Sequence, residues 1–209
     1  MGEPGTINAA DAVAHARTGD VWLFRGHSLA DRAIRVATNA PVNHVAMAVA
    51  MEDLPPLLWH TEMGRSLEDV WTGDHHRGAQ LNRLDEAVSV WTGKYGQRAY
   101  VRQFDGHVTR TMEDELLRVI NQYVGKPFPK AARLAGRWLA GRLRREATNE
   151  AVYCAQLLAI TFRRMGLLEG RKPASWYDPG RFWSGDRLAL SGGASLGLEL
   201  AVGPVEVKP

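Results

Sequence analysis

The chain of 209 residues has a single cysteine, Cys154, so no disulfide can form within it, and a reducing, cytoplasmic setting is the expected one. Long hydrophobic runs are also missing. The longest uninterrupted apolar stretch, Val45 to Met51, falls far short of the roughly 20 residues that cross a bilayer. The opening MGEPGTINAADAVAHA lacks the apolar centre of a secretory signal. Neither a membrane span nor a leader is expected. No charge of one sign prevails: 26 Lys and Arg against 23 Asp and Glu leave a net +3, which argues against a globally basic nucleic-acid binder. Internal repeats, low-complexity tracts and a Pro/Gly/Ser-rich linker are absent as well. With 45% hydrophobic and 23% charged residues the composition is that of an ordinary globular chain. One domain over residues 1–209 is expected, since domains average about 150 residues.

Periodicity and breakers supply the elements. A short helix is predicted over residues 8–17 and a buried strand over 21–24. A helix follows, with Leu29, Ala33, Ile34 and Ala37 on one face, ended by Asn39-Ala40-Pro41. Residues 45–50 and 57–62 read as a hairpin about Asp53-Leu54-Pro55-Pro56, residues 71–83 as a polar loop, and residues 88–91 and 99–104 as two further strands. Thr111 is the expected cap of a helix over 112–124, and a last helix from about 151 to 166 carries Cys154 in its first turn. The tail over 198–208 is strand-like. Strands between flanking helices predict an α+β fold with an antiparallel sheet.

The chemistry-bearing residues are His44 at the start of one hairpin strand, His60 and Glu62 on the returning strand, and Cys154 at a helix start. A thiol attacks carbonyls as thiolate, and a helix N-terminus with a nearby imidazolium lowers its pKa, so a depressed Cys154 pKa is expected. A base must take the thiol proton, and that base needs an orienting partner on its other nitrogen. Side chains alternate along a strand, so His60 and Glu62 share a face and either suits the third role, while Thr61 points away. The plainer reading of a lone cysteine among Leu157, Leu158 and Ile160 is an inert buried side chain.

Read together, Gly19-Asp20-Val21-Trp22-Leu23-Phe24, Asn43-His44-Val45-Ala46, Leu58-Trp59-His60, Gly125-Lys126-Pro127-Phe128 and Tyr153-Cys154-Ala155-Gln156 resemble, in order, the circularly permuted NlpC/P60 cysteine hydrolases, and more narrowly their YiiX-like branch. The resemblance spans residues 19–182. It implies a papain-like antiparallel sheet or half-barrel packed against helices, with Cys154 as nucleophile, His44 as base and His60 as the orienting residue; an acid is frequent at the third position, which keeps Glu62 in view. Ala46 and Ala155 stand where the family usually has Gly and Ser. The implied activity is cleavage of an amide or ester, by hydrolysis or acyl transfer, on a small peptide-like or lipid substrate, without a cofactor. The rival reading is a non-catalytic binding module of the same fold.

Other motifs weigh less. Gly26-His27-Ser28-Leu29-Ala30 approaches a nucleophile elbow, but an α/β-hydrolase needs several strands before it, so Ser28 is read as a helix cap. His60, Glu62, His75 and His76 match no metal-ligand spacing with defensible geometry, and no metal is expected. Met1-Gly2-Glu3-Pro4-Gly5-Thr6 fits a loose N-myristoylation pattern short enough to arise by chance. Lys130, Arg133, Arg137, Arg142, Arg144 and Arg145, interleaved with Leu134, Trp138, Leu139 and Leu143, form a basic amphipathic stretch. From Lys130 to Arg145 it suits either a helix packed on its own domain or peripheral contact with an anionic membrane.

Overall fold

A computed structural model describes residues 5–51, 53–127 and 153–203. Nine strands are described: β1 (Gly5–Ile7), β2 (Val21–Arg25), β3 (His44–Met51), β4 (Leu54–Glu62), β5 (Gly78–Arg83), β6 (Arg98–Arg102), β7 (Phe104–Asp105), β8 (Ser195–Leu196) and β9 (Leu200–Val202). The helices are α1 (Ala9–Ala14), α2 (Leu29–Thr38), α3 (Leu84–Val88), α4 (Arg110–Tyr123) and α5 (Cys154–Arg164). Seven strands make one open sheet in the order β1-β9-β6-β2-β3-β4-β5, while β7 and β8 pair separately. The fold is therefore α+β with a sheet packed against helices. The sheet is mixed rather than purely antiparallel, because β1 runs parallel to β9.

Both sheet faces are buried, and the alternation of each strand decides which face a side chain serves. Val21, Leu23, Val45, Met47, Leu57, Trp59 and Leu81 point to one face, where α4 and α5 pack with Leu116, Ile120, Leu157 and Phe162. Trp22, Phe24, Ala46, Ala48, Leu58 and Val101 point to the other, covered by Ala9 and Ala12 of α1 and by Leu84, Ala87 and Val88 of α3. Ser28 caps α2 as expected, its hydroxyl accepting the Asp31 N–H while the Asp31 carboxylate answers the Ser28 N–H. A hydroxyl held in that capping box is not a nucleophile.

Four local expectations are overturned. Residues 78–83, taken as loop, form β5; its Gln80 and Asn82 are buried polar residues, so the hydrophobic alternation that announces a strand is missing. Residues 88–91, taken as strand, lie in α3 and a following π-helical turn over Ser89–Lys94, for Leu84, Ala87, Val88 and Trp91 repeat at helical spacing. Thr109, not Thr111, caps α4. Pro55 and Pro56 lie within β4 rather than in the turn, on the stretch next to the β-bulge with β3 where a missing N–H is tolerated. The stretch from Lys130 to Arg145, residues 1–4 of the acylation pattern and the expected start of the last helix at about residue 151 lie outside the described residues.

Two close contacts fix strands that bear on the site. Asp20, 1% exposed, accepts the Phe104 N–H at 2.7 Å and the Arg17 N–H at 2.8 Å, joining the entry of β2 to β7. Burial pushes its carboxyl above the ordinary range, against the pull of those two amides. Gly78 opens β5 at φ 116°, where a Cβ would lie 2.0 Å from the Lys126 carbonyl oxygen, so glycine is required there. Asp20→Ala leaves two amides without partners and should lower stability in urea unfolding by about 3 kcal/mol, whereas Asp20→Asn, which keeps one acceptor, should lose about half as much.

Candidate functional site

Cys154 is the first residue of α5, an 11-residue helix. Helix α5 is fixed on the sheet by the Trp59 indole N–H donating to Thr161 Oγ1 at 3.1 Å, while Thr161 itself donates back to the Leu157 carbonyl. Just before the helix, the Tyr153 hydroxyl sits 2.5 Å from the Ser175 carbonyl oxygen and 2.9 Å from that of Tyr177. These anchors bring the thiol against the beginning of β3. Three backbone N–H groups, of Val45, Ala155 and Cys154 itself, lie about the sulfur.

The imidazoles come from the opposite sheet face. His44 opens β3, next to Phe24 in the register, and His60 lies on β4 opposite Gln80. His44 Nε2 is 3.2 Å from His60 Nδ1, and His60 Nε2 is 2.5 Å from Asn82 Oδ1. Trp91, on the π-helical turn, stands edge-on to both rings, with centroids 5.4 Å from His44 and 5.1 Å from His60. Glu62 is engaged elsewhere: its Oε1 accepts the Ser66 hydroxyl at 2.5 Å and its Oε2 lies 3.4 Å from the Gln80 amide nitrogen.

The two faces meet in a cavity of about 170 Å³ lined by Asn43, His44, Thr61, Glu62, Trp91 and Cys154 among others. The structure thus brings Cys154 and His44 to one cavity and sets His60 directly behind His44. Thr61, expected to point away, also lines this cavity, and among the described residues its buried hydroxyl has no hydrogen-bond partner. A larger groove of about 750 Å³ between α1 and α3 holds Glu68, His75, Asp85 and Glu86 but neither the thiol nor the paired imidazoles. His76 pairs with buried Asp69 at 2.8 Å. Among the described residues no three His, Cys, Asp or Glu side chains gather as a metal site.

Electrostatics correct one expectation. Burial pushes the Cys154 thiol up to about 11, outweighing the three N–H groups that favour the thiolate. A helix start lowers a thiol pKa only where the sulfur keeps enough polar surroundings, and this one is 6% exposed. Burial, seconded by the neighbouring His60 ring, holds His44 well below the ordinary histidine value. Burial lowers His60 as well, against the pull of its bond to Asn82 and of Glu62. The cavity thus holds a neutral thiol and the neutral His44 imidazole. Asn82, Trp91 and Thr61 are the site residues that sequence reasoning missed. Trp91 alone left a signal, in the helical spacing from Leu84.

No protein-family model matches the chain, and no curated protein matches it in sequence. Among solved structures it is similar to the crystal structure of the metalloprotein YiiX (DUF1105) from Escherichia coli O157:H7, at 18% identity and a TM-score of 0.49, over 72% of this chain. The match spans 66% of that protein's length. No helix among the described residues is long and apolar enough to cross a membrane.

The pKa directions have a consequence for stability. In the unfolded chain His44 and His60 take up protons near pH 6.5, whereas folded they do so only at lower pH. Below pH 6.5 the unfolded state therefore binds more protons, and stability falls with falling pH. Calorimetric melting between pH 7 and pH 5 should show that loss, and a His44→Gln/His60→Gln variant should show a shallower slope over the same window.

Proposed function

We propose that the chain is a thiol-dependent hydrolase or acyltransferase with a permuted papain-like arrangement, cleaving an amide or ester of a small peptide-like or lipid substrate through an acyl-enzyme on Cys154. One observation carries the reading: the Cys154 thiol and the His44 ring line the same cavity while His60 engages His44 Nε2, which leaves Nδ1 as the nitrogen that serves the thiol. A nucleophile, a base and an orienting group behind the base are what acyl transfer requires. In chain order the base precedes the nucleophile, as in the permuted group that the sequence resembles.

The neutral resting pair sets the mode of attack. With the thiol at about 11 and His44 held low, the ion pair is not preformed. The thiol proton passes to His44 Nδ1 as the sulfur bonds to the substrate carbonyl carbon. The Cys154 N–H at the start of α5 then meets the developing oxyanion, and the Thr61 hydroxyl is placed to be a second donor. The imidazolium returns its proton to the departing amine or alcohol as the carbon–heteroatom bond breaks. Water or another acceptor, deprotonated by the same nitrogen, releases the acyl group and restores the thiol.

With p-nitrophenyl esters of several acyl lengths, the wild-type protein should give a p-nitrophenol burst that Cys154→Ala abolishes and that His44→Ala slows by about 10²- to 10⁴-fold. No burst with any of these esters would discard the hydrolase in favour of the binding module. Alkylation offers a second check: the native Cys154 rate with iodoacetamide should keep rising through pH 9 toward a midpoint near 11. A plateau below pH 8 would mean a thiolate stabilised at rest.

A further inference from the structure

Beyond the thiol and the two imidazoles, the strand β5 contributes an amide whose orientation is settled on both sides. Asn82 is fully buried, and its Nδ2 donates to the Glu68 carbonyl at 2.7 Å and to Gln80 Oε1 at 3.2 Å. A backbone carbonyl only accepts, so the NH2 end must face it. Gln80 is fixed in the same sense, because its own Nε2 lies 3.2 Å from the His76 carbonyl oxygen. Asn82 Oδ1 is therefore the atom turned toward His60, at 2.5 Å from Nε2.

An oxygen acceptor at that position demands a proton on His60 Nε2, for a lone pair there would face the lone pairs of Oδ1. In a neutral imidazole a proton on one nitrogen leaves the other as acceptor, so His60 Nδ1 accepts. Its partner at 3.2 Å, His44 Nε2, must then be the donor, and His44 Nδ1 carries the lone pair. We propose that Asn82 is a positioning residue that sets, through two imidazole rings, the tautomer in which His44 Nδ1 is the proton acceptor for Cys154. Were His60 an imidazolium, both its nitrogens would donate and the assignment at His44 would reverse. The bond to Asn82, the Glu62 carboxylate, a hydrogen bond to the Thr61 backbone and Asp69 all favour that cation, while burial opposes it and, outweighing them, lowers the His60 pKa.

The consequence for catalysis rests on the thiol-hydrolase reading, but the tautomers themselves do not. They can be observed in protein labelled with 15N-histidine, by long-range 1H–15N correlation near pH 7.5, with the seven histidines assigned through single His→Gln variants. His44 and His60 should both show a protonated Nε2 and an unprotonated Nδ1. Asn82→Leu, which lacks the acceptor, should lose that pattern at both rings and slow acylation by about 100-fold or more, in line with the penalty of a misplaced histidine proton. Asn82→Asp puts a carboxylate against His60 Nε2, which favours the imidazolium, so it should instead protonate both His60 nitrogens and move the His44 proton to Nδ1. Both variants lose the bond to the Glu68 carbonyl, so a purely structural effect would appear in both alike. A proton on Nδ1 of either ring in the wild type overturns the proposal, whether or not the variants fold, and so does an unchanged pattern in Asn82→Leu. If the tautomers are as stated and no ester gives a burst, the hydrolase reading fails while the relay stands.

Discussion

A sheet covered on both faces offers no water to the polar side chains within it, and His60 is 1% exposed in such a sheet with Asn82 fully buried beside it. A buried polar group without a partner costs about 1–3 kcal/mol, so these residues have to satisfy one another. The line from His44 through His60 to Asn82, and on to the Glu68 carbonyl, meets that demand with hydrogen bonds between 2.5 and 3.2 Å. The same demand narrows what each atom can do. Every donor needs an acceptor at the next place, and at its other end the line reaches, with the His44 ring, the cavity that Cys154 also lines.

The rest of the site depends on keeping that line dry and square. Trp91 stands edge-on to both imidazoles and to Phe24, whose ring centroid is 4.7 Å from its own. An indole perpendicular to all three rings packs against them in the edge-to-face arrangement that aromatic pairs prefer. The π-helical turn over Ser89–Lys94 carries it there, an instance of an irregular helical turn placed beside chemistry-bearing side chains.

The thiol and the imidazoles arrive from opposite faces of one sheet. α5 is locked onto the face that holds Trp59, through the indole bond to Thr161, whereas His44 belongs to the alternate residues of β3 that serve the other face. They meet where β3 begins, because there the sheet no longer separates the two layers. The cost of enclosure is electrostatic: the same packing that positions the sulfur among three N–H groups also removes the water that would stabilise its anion, and burial prevails. Enclosure thus disfavours a thiolate–imidazolium pair held at rest.

How much of this was legible in the sequence depends on the range of each signal. Helix α2 with its Ser28 cap, the β3–β4 hairpin and a helix carrying Cys154 in its first turn are local matters of capping, alternation and breakers, and the linear sequence determined them. It also marked His44, Cys154 and, for a third place, His60 or Glu62 as candidates, since their chemistry is intrinsic. Strand β5 was illegible because its inward residues, Gln80 and Asn82, are polar, and a strand read by hydrophobic alternation vanishes when it feeds a polar network. Thr61 keeps the face opposite His60 that alternation gives it, and it shares the cavity with His44 because the cavity opens to both faces at the sheet end. Only the tertiary structure decided the Cys154 pKa and the place of Asn82 behind His60, because desolvation and hydrogen bonds between strands are set by distances across the fold and not by neighbours along the chain.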